Sequence, residues 1–282
     1  MRFKNENAQL FVPDGLPAEK ALSRTTHIGI GAHQDDLEIM AIDGILQCFQ
    51  QARKWFTGVV VTNGSGSARS GLYQDYTDEQ MQEVRNKEQQ KAAVIGEYAA
   101  QVLLDYPSSA VKEGTNQNPI DDLEALLKTA HPEVVYTHNL ADKHTTHVGV
   151  AVKVIKALRR LPQSERPKHV YGCEVWRDLD WMMDDDKVSF DVSAQEGLQN
   201  ALVGIFDSQI SGGKRYDLAT MGRRRANATY HASHATDVTS GLAFAMDLTP
   251  LVEDSDQDIQ AYVQAYIDRF QRDVQDRLSS VL

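Results

Sequence analysis

The sequence lacks several features that would assign it to a specialised class of protein. It has two cysteines, and no apolar run reaches the roughly 18 residues that a membrane helix needs. Basic residues are scarce, since 29 lysines and arginines stand against 40 acidic residues, for a net charge of −11. This acidic balance argues against nucleic acid or an anionic membrane surface as the main partner. The 41% hydrophobic and 24% charged content is that of a soluble globular chain, which excludes disordered and fibrous classes.

The few cysteines and the N-terminal residues indicate the compartment. Cys48 and Cys173 lie in apolar surroundings without a CxxC spacing, so we interpret them as buried free thiols, which suit a reducing compartment. Residues 1–7 lack the apolar core of a secretory signal. We therefore expect a cytoplasmic protein. The one tight basic cluster, at 223–225, fits either a solvated helix face or an anion-binding site.

Strand-like and helical patterns alternate along the chain, which favours an α/β fold with a mostly parallel sheet. We predict strands at 27–32, 55–62, 101–106, 133–138, 168–175 and 242–248. We predict helices at 36–54, 77–95, 121–128, 148–158, 193–206, 217–230 and 256–278, of which the second and fifth open on the capping boxes Thr77/Gln80 and Ser193/Glu196. Residues 1–25 are interpreted as a surface extension, and 26–282 as a single domain.

Polar side chains follow two of the predicted strands at the point where each strand ends. His33, Asp35 and Asp36 come directly after the first strand, and His144 and His147 precede the helix that follows the fourth. Ligand sites of open α/β sheets lie outside the carboxyl ends of the strands. We therefore expect one sheet edge to present both clusters.

These residue types suit a catalytic metal centre. His33, Asp36 and His147 supply two imidazoles and a carboxylate, a sufficient protein contribution to a zinc site that keeps its fourth position open. The mixed N/O ligation also admits iron, manganese or cobalt. Such a metal lowers the pKa of bound water and polarises a carbonyl group. Asp35 is the predicted general base, and His144 is predicted to stabilise an oxyanion or to protonate a leaving amine.

The two clusters together resemble the motifs AHPDD and HxxH of the PIG-L/LmbE-like zinc-dependent deacetylases. The matching segments are Ala32-His33-Gln34-Asp35-Asp36 and His144-Thr145-Thr146-His147, and the resemblance covers about residues 26–210. It implies a Rossmann-like α/β fold with helices on both faces of the sheet. It also implies hydrolysis of an N-acetyl group on an amino sugar conjugate of the N-acetylglucosamine type, such as a low-molecular-weight thiol precursor, by water that the metal activates.

The resemblance assigns roles by position. It makes His33, Asp36 and His147 the metal ligands, Asp35 the general base and His144 the oxyanion-stabilising histidine. It also places a substrate-contacting arginine in the loop of Arg69, and a part of the substrate mouth near His234, within a segment 180–282 that completes the mouth. Two departures concern Gln34, where the family has proline, and Thr146, where aspartate is common. Loss of that carboxylate is expected to weaken metal binding or to shift the activity, because outer-shell partners orient metal ligands.

The implied partner is a small N-acetylated amino sugar conjugate, with no nucleic acid and no membrane span. The resemblance also implies a homo-oligomer, since members of the family often associate through their later helices. Two alternatives stay open. One is a non-catalytic carbohydrate-binding protein on the same fold. The other is a non-haem iron oxygenase, since His33, Asp35 and His147 also satisfy its triad of two histidines and a carboxylate. That chemistry is usually found on a double-sheet β fold, whereas this chain alternates strands and helices.

Overall fold

A computed structural model describes residues 2–282, with an eight-stranded sheet at their centre. The strands are β1 (Gln9–Phe11), β2 (His27–Gly31), β3 (Phe56–Thr62), β4 (Ala100–Tyr106), β5 (Val134–His138), β6 (His169–Cys173), β7 (Lys187–Asp191) and β8 (Leu242–Asp247). Their order across the sheet is β1-β4-β3-β2-β5-β6-β8-β7. The strands from β4 to β6 are parallel, whereas β1 on one edge and β8 and β7 on the other pair antiparallel. The predicted mostly parallel α/β fold is confirmed.

Twelve α-helices connect and cover these strands in residues 2–282. They are α1 (Ala18–Ser23), α2 (Asp36–Met40), α3 (Ile42–Cys48), α4 (Asp78–Ile95), α5 (Ser108–Lys112), α6 (Asn118–Ala130), α7 (Thr145–Arg159), α8 (Glu196–Gly204), α9 (Asp207–Ile210), α10 (Tyr216–Tyr230), α11 (Thr249–Glu253) and α12 (Ile259–Val281). Within this part of the chain, none of them combines the length and the apolar content that a bilayer crossing demands.

Several local predictions differ from the structure. All six predicted strands form, but the edge strands β1 and β7 have no counterpart among them, and β1 lies in the segment interpreted as an extension. The predicted helix at 36–54 is divided at Ala41 into α2 and α3 and ends at Cys48. The capping box of Thr77 and Gln80 is confirmed. The one at Ser193 is wrong, because α8 begins only after Gln195, which adopts a left-handed conformation with φ 55°.

The site follows from the order of the strands. Because β3 and β4 lie on one side of β2, and β5 and β6 on the other, the chain leaves β2 and β5 in opposite directions. This reversal opens a crevice at the carboxyl ends of these two strands. Apolar layers on both faces hold the strands rigidly, with α6 and α7 on one face and α3 and α4 on the other. Cys48 and Cys173 are buried and free, as predicted.

Candidate metal centre and active-site cavity

The turn from β2 into α2 positions the first cluster. The His33 N–H donates to Asp36 Oδ2 at 2.6 Å, so the Asp36 carboxylate closes the turn and is fixed by it. Asp35, between them, has a left-handed backbone with φ 90°, which few non-glycine residues adopt. Its N–H donates to Gln89 Oε1 at 3.2 Å. Such strain is retained where the surrounding structure determines a side-chain direction, and it is common at functional sites.

The three predicted ligands converge at the crevice. His33 Nδ1 lies 3.2 Å from His147 Nε2 and 3.3 Å from Asp36 Oδ2, and His147 Nε2 lies 3.5 Å from Asp36 Oδ1. In a tetrahedral zinc site with bonds of about 2.0–2.1 Å, neighbouring donor atoms are about 3.3–3.4 Å apart. The two imidazole nitrogens and the Asp36 carboxylate, which approaches His33 with Oδ2 and His147 with Oδ1, therefore have pairwise spacings like those of ligands around one metal ion.

The outer side of His147 is held by a carboxylate that comes from the loop before α7. His147 Nδ1 lies 3.6 Å from Asp142 Oδ2, which leaves Nε2 as the nitrogen that faces the other donors. Asp142 also accepts from the N–H groups of His144 (2.8 Å) and Trp176 (3.0 Å). The Thr146 hydroxyl is buried and has no hydrogen-bond partner among the described residues. Asp142 thus provides an outer-shell carboxylate although position 146 lacks one.

A fourth histidine, which is fully buried, belongs to the cluster and was not among the predicted site residues. His138, the last residue of β5, stacks on His147 with ring centroids 3.9 Å apart, and its Nε2 accepts from the Ala32 N–H at 2.8 Å. The nitrogens of His138 and His147 and an Asp36 oxygen also lie within 4.8 Å of one another. Because the Ala32 N–H occupies the Nε2 lone pair of His138, His33 is the better ligand. The sequence feature that could have identified His138 as a site residue is its position at the end of a predicted strand, like that of His33.

Burial and charge set the protonation states of the cluster. Burial raises the pKa of Asp36, but the charge on His147 and the hydrogen bond of His33 bring it well below its usual range. Burial lowers the pKa of His147, yet Asp36 and Asp142 together raise it above its ordinary value. For His144, burial and the charges of His147 and His33 lower the pKa to about 4.

Asp35 lies beside Arg85 in the same crevice. Asp35 Oδ2 is 3.6 Å from Arg85 Nη2, which donates to the Gln34 carbonyl oxygen at 2.7 Å, and Arg85 Nη1 donates to the Gly64 carbonyl oxygen at 3.2 Å. Burial raises the pKa of Asp35 well above its usual range, against the opposite effect of Arg85 and with support from the charges of Asp36, Glu38 and Glu88. A carboxylate with a raised pKa is a stronger proton acceptor.

The cluster opens into a cavity of about 740 Å³. His33, Asp35, Asp36 and His144 line it, and the fully buried His147 lies behind them. Its wall also includes the aromatic side chains of Trp176, Tyr216 and Phe244, from the segment after β6, from α10 and from β8. The structure therefore brings five of the seven predicted site residues to one place.

Arg69 and His234 are the two predicted site residues that the structure does not bring to the cavity. The Arg69 guanidinium donates to the carbonyl oxygens of Tyr76 (2.7 Å) and Ser65 (2.9 Å) and pairs with Asp78. These contacts hold it within its own loop. His234 is exposed in the segment between α10 and β8. A role of either residue in binding substrate stays a prediction.

The fold and site together define a Rossmann-like α/β protein with a histidine–aspartate donor set at the carboxyl edge of its sheet. Residues 28–158 match the family model PIG-L: GlcNAc-PI de-N-acetylase. The match contains every member of the donor set. The resemblance predicted from the two sequence motifs is thereby confirmed.

Solved structures share the fold at low sequence identity. A conserved protein from Thermus thermophilus, TT1542, is 18% identical over 78% of this chain and 93% of its own, with a TM-score of 0.58. The 4-carboxy-2-hydroxymuconate hydratase GalB from Pseudomonas putida KT2440 is 16% identical over 79% and 95%, with a TM-score of 0.57. The N,N'-diacetylchitobiose deacetylase from Pyrococcus horikoshii is 14% identical over 78% and 83%, with a TM-score of 0.58. None of the curated proteins matches the chain. Since a hydratase and a deacetylase share this fold, the reaction has to be argued from the site.

Proposed function

We propose that the protein is a metal-dependent hydrolase that removes an N-acetyl group from an amino sugar conjugate of the N-acetylglucosamine type, releasing acetate and a free amine. The observation that carries the proposal is the convergence of His33 Nδ1, His147 Nε2 and the Asp36 carboxylate, with the buried carboxylate of Asp35 beside them. The match of residues 28–158, which include these side chains, to the PIG-L family model supports an N-acetyl substrate.

A divalent metal held by His33, Asp36 and His147 would supply a Lewis acid and a nucleophilic water at neutral pH. Zinc suits this mixed set of ligands, which iron, manganese and cobalt can also occupy. Asp142 and the stacked ring of His138 hold His147 in the orientation that directs Nε2 towards the other donors.

The remaining steps belong to Asp35 and His144. The Asp35 carboxylate, with its raised pKa, takes the proton of the attacking water and later delivers it to the leaving nitrogen. The His144 imidazole is neutral at pH 7, because its pKa is lowered to about 4, and its N–H donates a hydrogen bond to the oxyanion that forms on the acetyl carbon. Arg85 holds Asp35 in place through the loops at Gln34 and Gly64.

The cavity suits a sugar conjugate. Its 740 Å³ lies within the range of about 300–1,000 Å³ for small-molecule sites. The rings of Trp176 and Tyr216, whose centroids lie 6.1 Å apart at nearly right angles, offer an apolar wall to the C–H face of a pyranose. In this proposal the segment 180–282 completes the substrate mouth with residues of α10 and β8.

The test is acetate release from a panel of N-acetylglucosamine conjugates by zinc-loaded protein. We expect turnover by the wild type, loss of turnover after chelation, recovery on adding zinc, and loss of turnover in Asp35→Asn. Asp185→Asn, in an exposed acid outside the cavity, is the matched control and should retain activity. Zinc-loaded protein that binds the conjugates without releasing acetate would instead favour a carbohydrate-binding role, and oxygen consumption by iron-loaded protein would favour the oxygenase.

A further inference from the structure

One peptide group of the turn after β2 is held at both ends by side chains of the same helix. The group joins Gln34 to Asp35. Its carbonyl oxygen accepts from Arg85 Nη2 at 2.7 Å, and its N–H donates to Gln89 Oε1 at 3.2 Å. Arg85 and Gln89 are four residues apart on α4 and therefore lie on one face of that helix. We refer to these two side chains as the peptide clamp.

The peptide clamp determines the backbone conformation of Asp35. If the peptide plane turned by half a rotation, its carbonyl oxygen would face Gln89 Oε1 and its N–H would face the Arg85 guanidinium. Two acceptors and two donors would then be in contact among buried residues, where an unpaired polar group is costly. The observed orientation satisfies both side chains, and it gives Asp35 its φ of 90°, which few non-glycine residues adopt.

The amide of Gln89 can adopt only one orientation. Its Nε2 donates to Glu38 Oε1 at 2.9 Å and to Gln101 Oε1 at 3.2 Å. A reversed amide would present its oxygen to these two acceptors and its NH₂ group to the Asp35 N–H. Glu38 is itself fixed, because the Tyr98 hydroxyl donates to the same Oε1 at 2.8 Å. These partners of Gln89 are buried, as is Gln89, so bulk water does not compete for their hydrogen bonds.

Loss of the Gln89 acceptor would disturb Asp35. The Asp35 N–H would become a buried donor without a partner. The turn could relieve this cost by turning the peptide, which breaks its bond to Arg85, or by rotating Asp35 about its N–Cα bond. Both movements disturb the arrangement of the Asp35 carboxylate and Arg85, whose Nη2 lies 3.6 Å from Asp35 Oδ2. A displacement of about 1 Å in an active site can lower the rate by about 100-fold.

We infer that Gln89 is a positioning residue for the proposed general base. Together with Arg85, it holds the peptide between Gln34 and Asp35 in the orientation that keeps the Asp35 carboxylate in the cavity lining. Among the described residues, Gln89 is not part of that lining, so it acts through the backbone of Asp35 and not on a ligand. The role of Asp35 as base rests on the proposed function, whereas the peptide clamp rests on the hydrogen bonds alone.

The kinetic test uses Gln89→Leu, which removes the acceptor and nearly preserves the volume of the side chain. We expect kcat for acetate release by the zinc-loaded variant to fall by about 10–100-fold, with KM and zinc content within about threefold of the wild type. Gln199→Leu is the matched control. Gln199 is a buried amide on α8 whose Nε2 donates to the carbonyl oxygens of Val192 (2.6 Å) and Ala194 (2.7 Å), outside the cavity lining. This variant should lower the melting temperature and keep the kcat of the folded protein.

An exchange of the two partners tests whether the acceptor itself matters. Glu38→Gln/Gln89→Glu keeps one carboxylate in the network, and the carboxylate at position 89 can accept from both the Asp35 N–H and the amide at position 38. We expect its kcat to lie within about fivefold of the wild type. If Gln89→Leu does not fold, Gln89→Asn replaces it, since the shorter side chain withdraws the acceptor from Asp35. A kcat that survives the loss of the acceptor, a loss that Gln199→Leu shares, or one that the exchange does not reverse would overturn the inference.

Crystal structures of the variants separate this inference from the proposed function, since they need no substrate. We expect Asp35 to keep a positive φ in the wild type and in Gln199→Leu, and to lose it, or to shift its carboxylate by about 1 Å, in Gln89→Leu. An unchanged turn in Gln89→Leu would overturn the inference whatever the activity. A changed turn, together with a wild type that releases no acetate from any conjugate, would retain the peptide clamp and count against the hydrolase.

Discussion

Asp142 and His147 face each other across 3.6 Å, on the side of the imidazole away from Asp36. Both side chains are buried, so the Asp142 charge favours a proton on Nδ1 of His147, and Nε2 faces the donor set. Asp142 also accepts two further backbone N–H groups, at Trp176 and Arg177. Asp142 therefore connects His147, the proposed metal ligand on α7, to the segment that carries Trp176 of the cavity wall.

Asp142→Asn should weaken zinc binding. An asparagine amide has one oxygen, so its NH₂ group would face either His147 Nδ1–H or the Trp176 N–H. Two hydrogen-bond donors would then face each other, and the orientation of His147 would no longer be held. Loss of an outer-shell partner typically costs about 10–100-fold in metal affinity. Competition with a chromophoric chelator measures the affinity, and Asp185→Asn controls for the loss of a negative charge. Equal zinc affinities of wild type and Asp142→Asn would refute the role of Asp142.

Asp35→Asn should abolish acetate release and spare the metal. Asparagine tolerates the left-handed backbone at this position, so the fold should be retained. Loss of a general base typically lowers kcat by about 10²–10⁴-fold. The measurement is kcat with zinc content determined on the same sample. A kcat within a few-fold of the wild type would exclude Asp35 as the base.

His27 should make stability depend on pH. Burial, and then the charge of Lys54, lower its pKa to about 4 from the ordinary 6.5. The unfolded chain therefore binds more protons between these values, and the free energy of unfolding should fall as the pH drops from 6.5 towards 4. The loss attributable to His27 is about 1–2 kcal/mol at pH 5.

Denaturant unfolding at pH 7.5 and pH 5 tests this dependence. The decrease should be smaller in His27→Asn than in the wild type. His131→Asn is the matched control, because His131 is exposed and its left-handed backbone suits asparagine. An equal decrease in His27→Asn and the wild type would show that His27 does not contribute.

Arg224→Met should destabilise the fold. Arg224 donates to the carbonyl oxygens of Glu38 and Ile39 at the end of α2 and to Gln199 Oε1. Methionine would leave these buried acceptors without a donor, at a cost of about 1–3 kcal/mol each, partly offset because no charge is then buried. We expect a net loss of about 2–4 kcal/mol in the free energy of unfolding. The exposed Arg225→Met should change it by no more than about 0.5 kcal/mol.

The basic cluster shows what the sequence could not resolve. Consecutive helical residues point about 100° apart, so three adjacent arginines cannot share one environment. Arg223 reaches Val175 at the cavity wall, Arg224 is buried against α2, and Arg225 pairs with Glu196 in solvent. The sequence analysis left two alternatives for the cluster as a whole, a solvated helix face or an anion-binding site, whereas the helix gives each of the three arginines a different environment.

The fold and the positions of the proposed metal ligands His33 and Asp36 were predictable because their signals are local. The apolar run of β2 and the polar residues His33 and Asp36 that follow it lie within ten residues of one another, so one short segment shows both the strand and the candidate ligands. His138 and Arg224 escaped prediction because their roles depend on partners about 100 and 190 residues away, Ala32 and Glu38 respectively. The edge strands β1 and β7 escaped because short, partly exposed strands lack a strong apolar pattern.

Arg85 fastens the backbone at Gln34 to the backbone at Gly64, and so joins the turn after β2 to the loop after β3. Both hydrogen-bond acceptors of Arg85 are backbone carbonyl oxygens, so this connection depends on the backbone conformation of the loop and not on its side chains. Gly64 itself has φ 70°, and a Cβ there would lie 2.3 Å from Gln34 Oε1. Side chains of the loop after Gly64 can therefore be replaced without disturbing the hydrogen bonds of Arg85 that position Asp35, provided that Gly64 is retained.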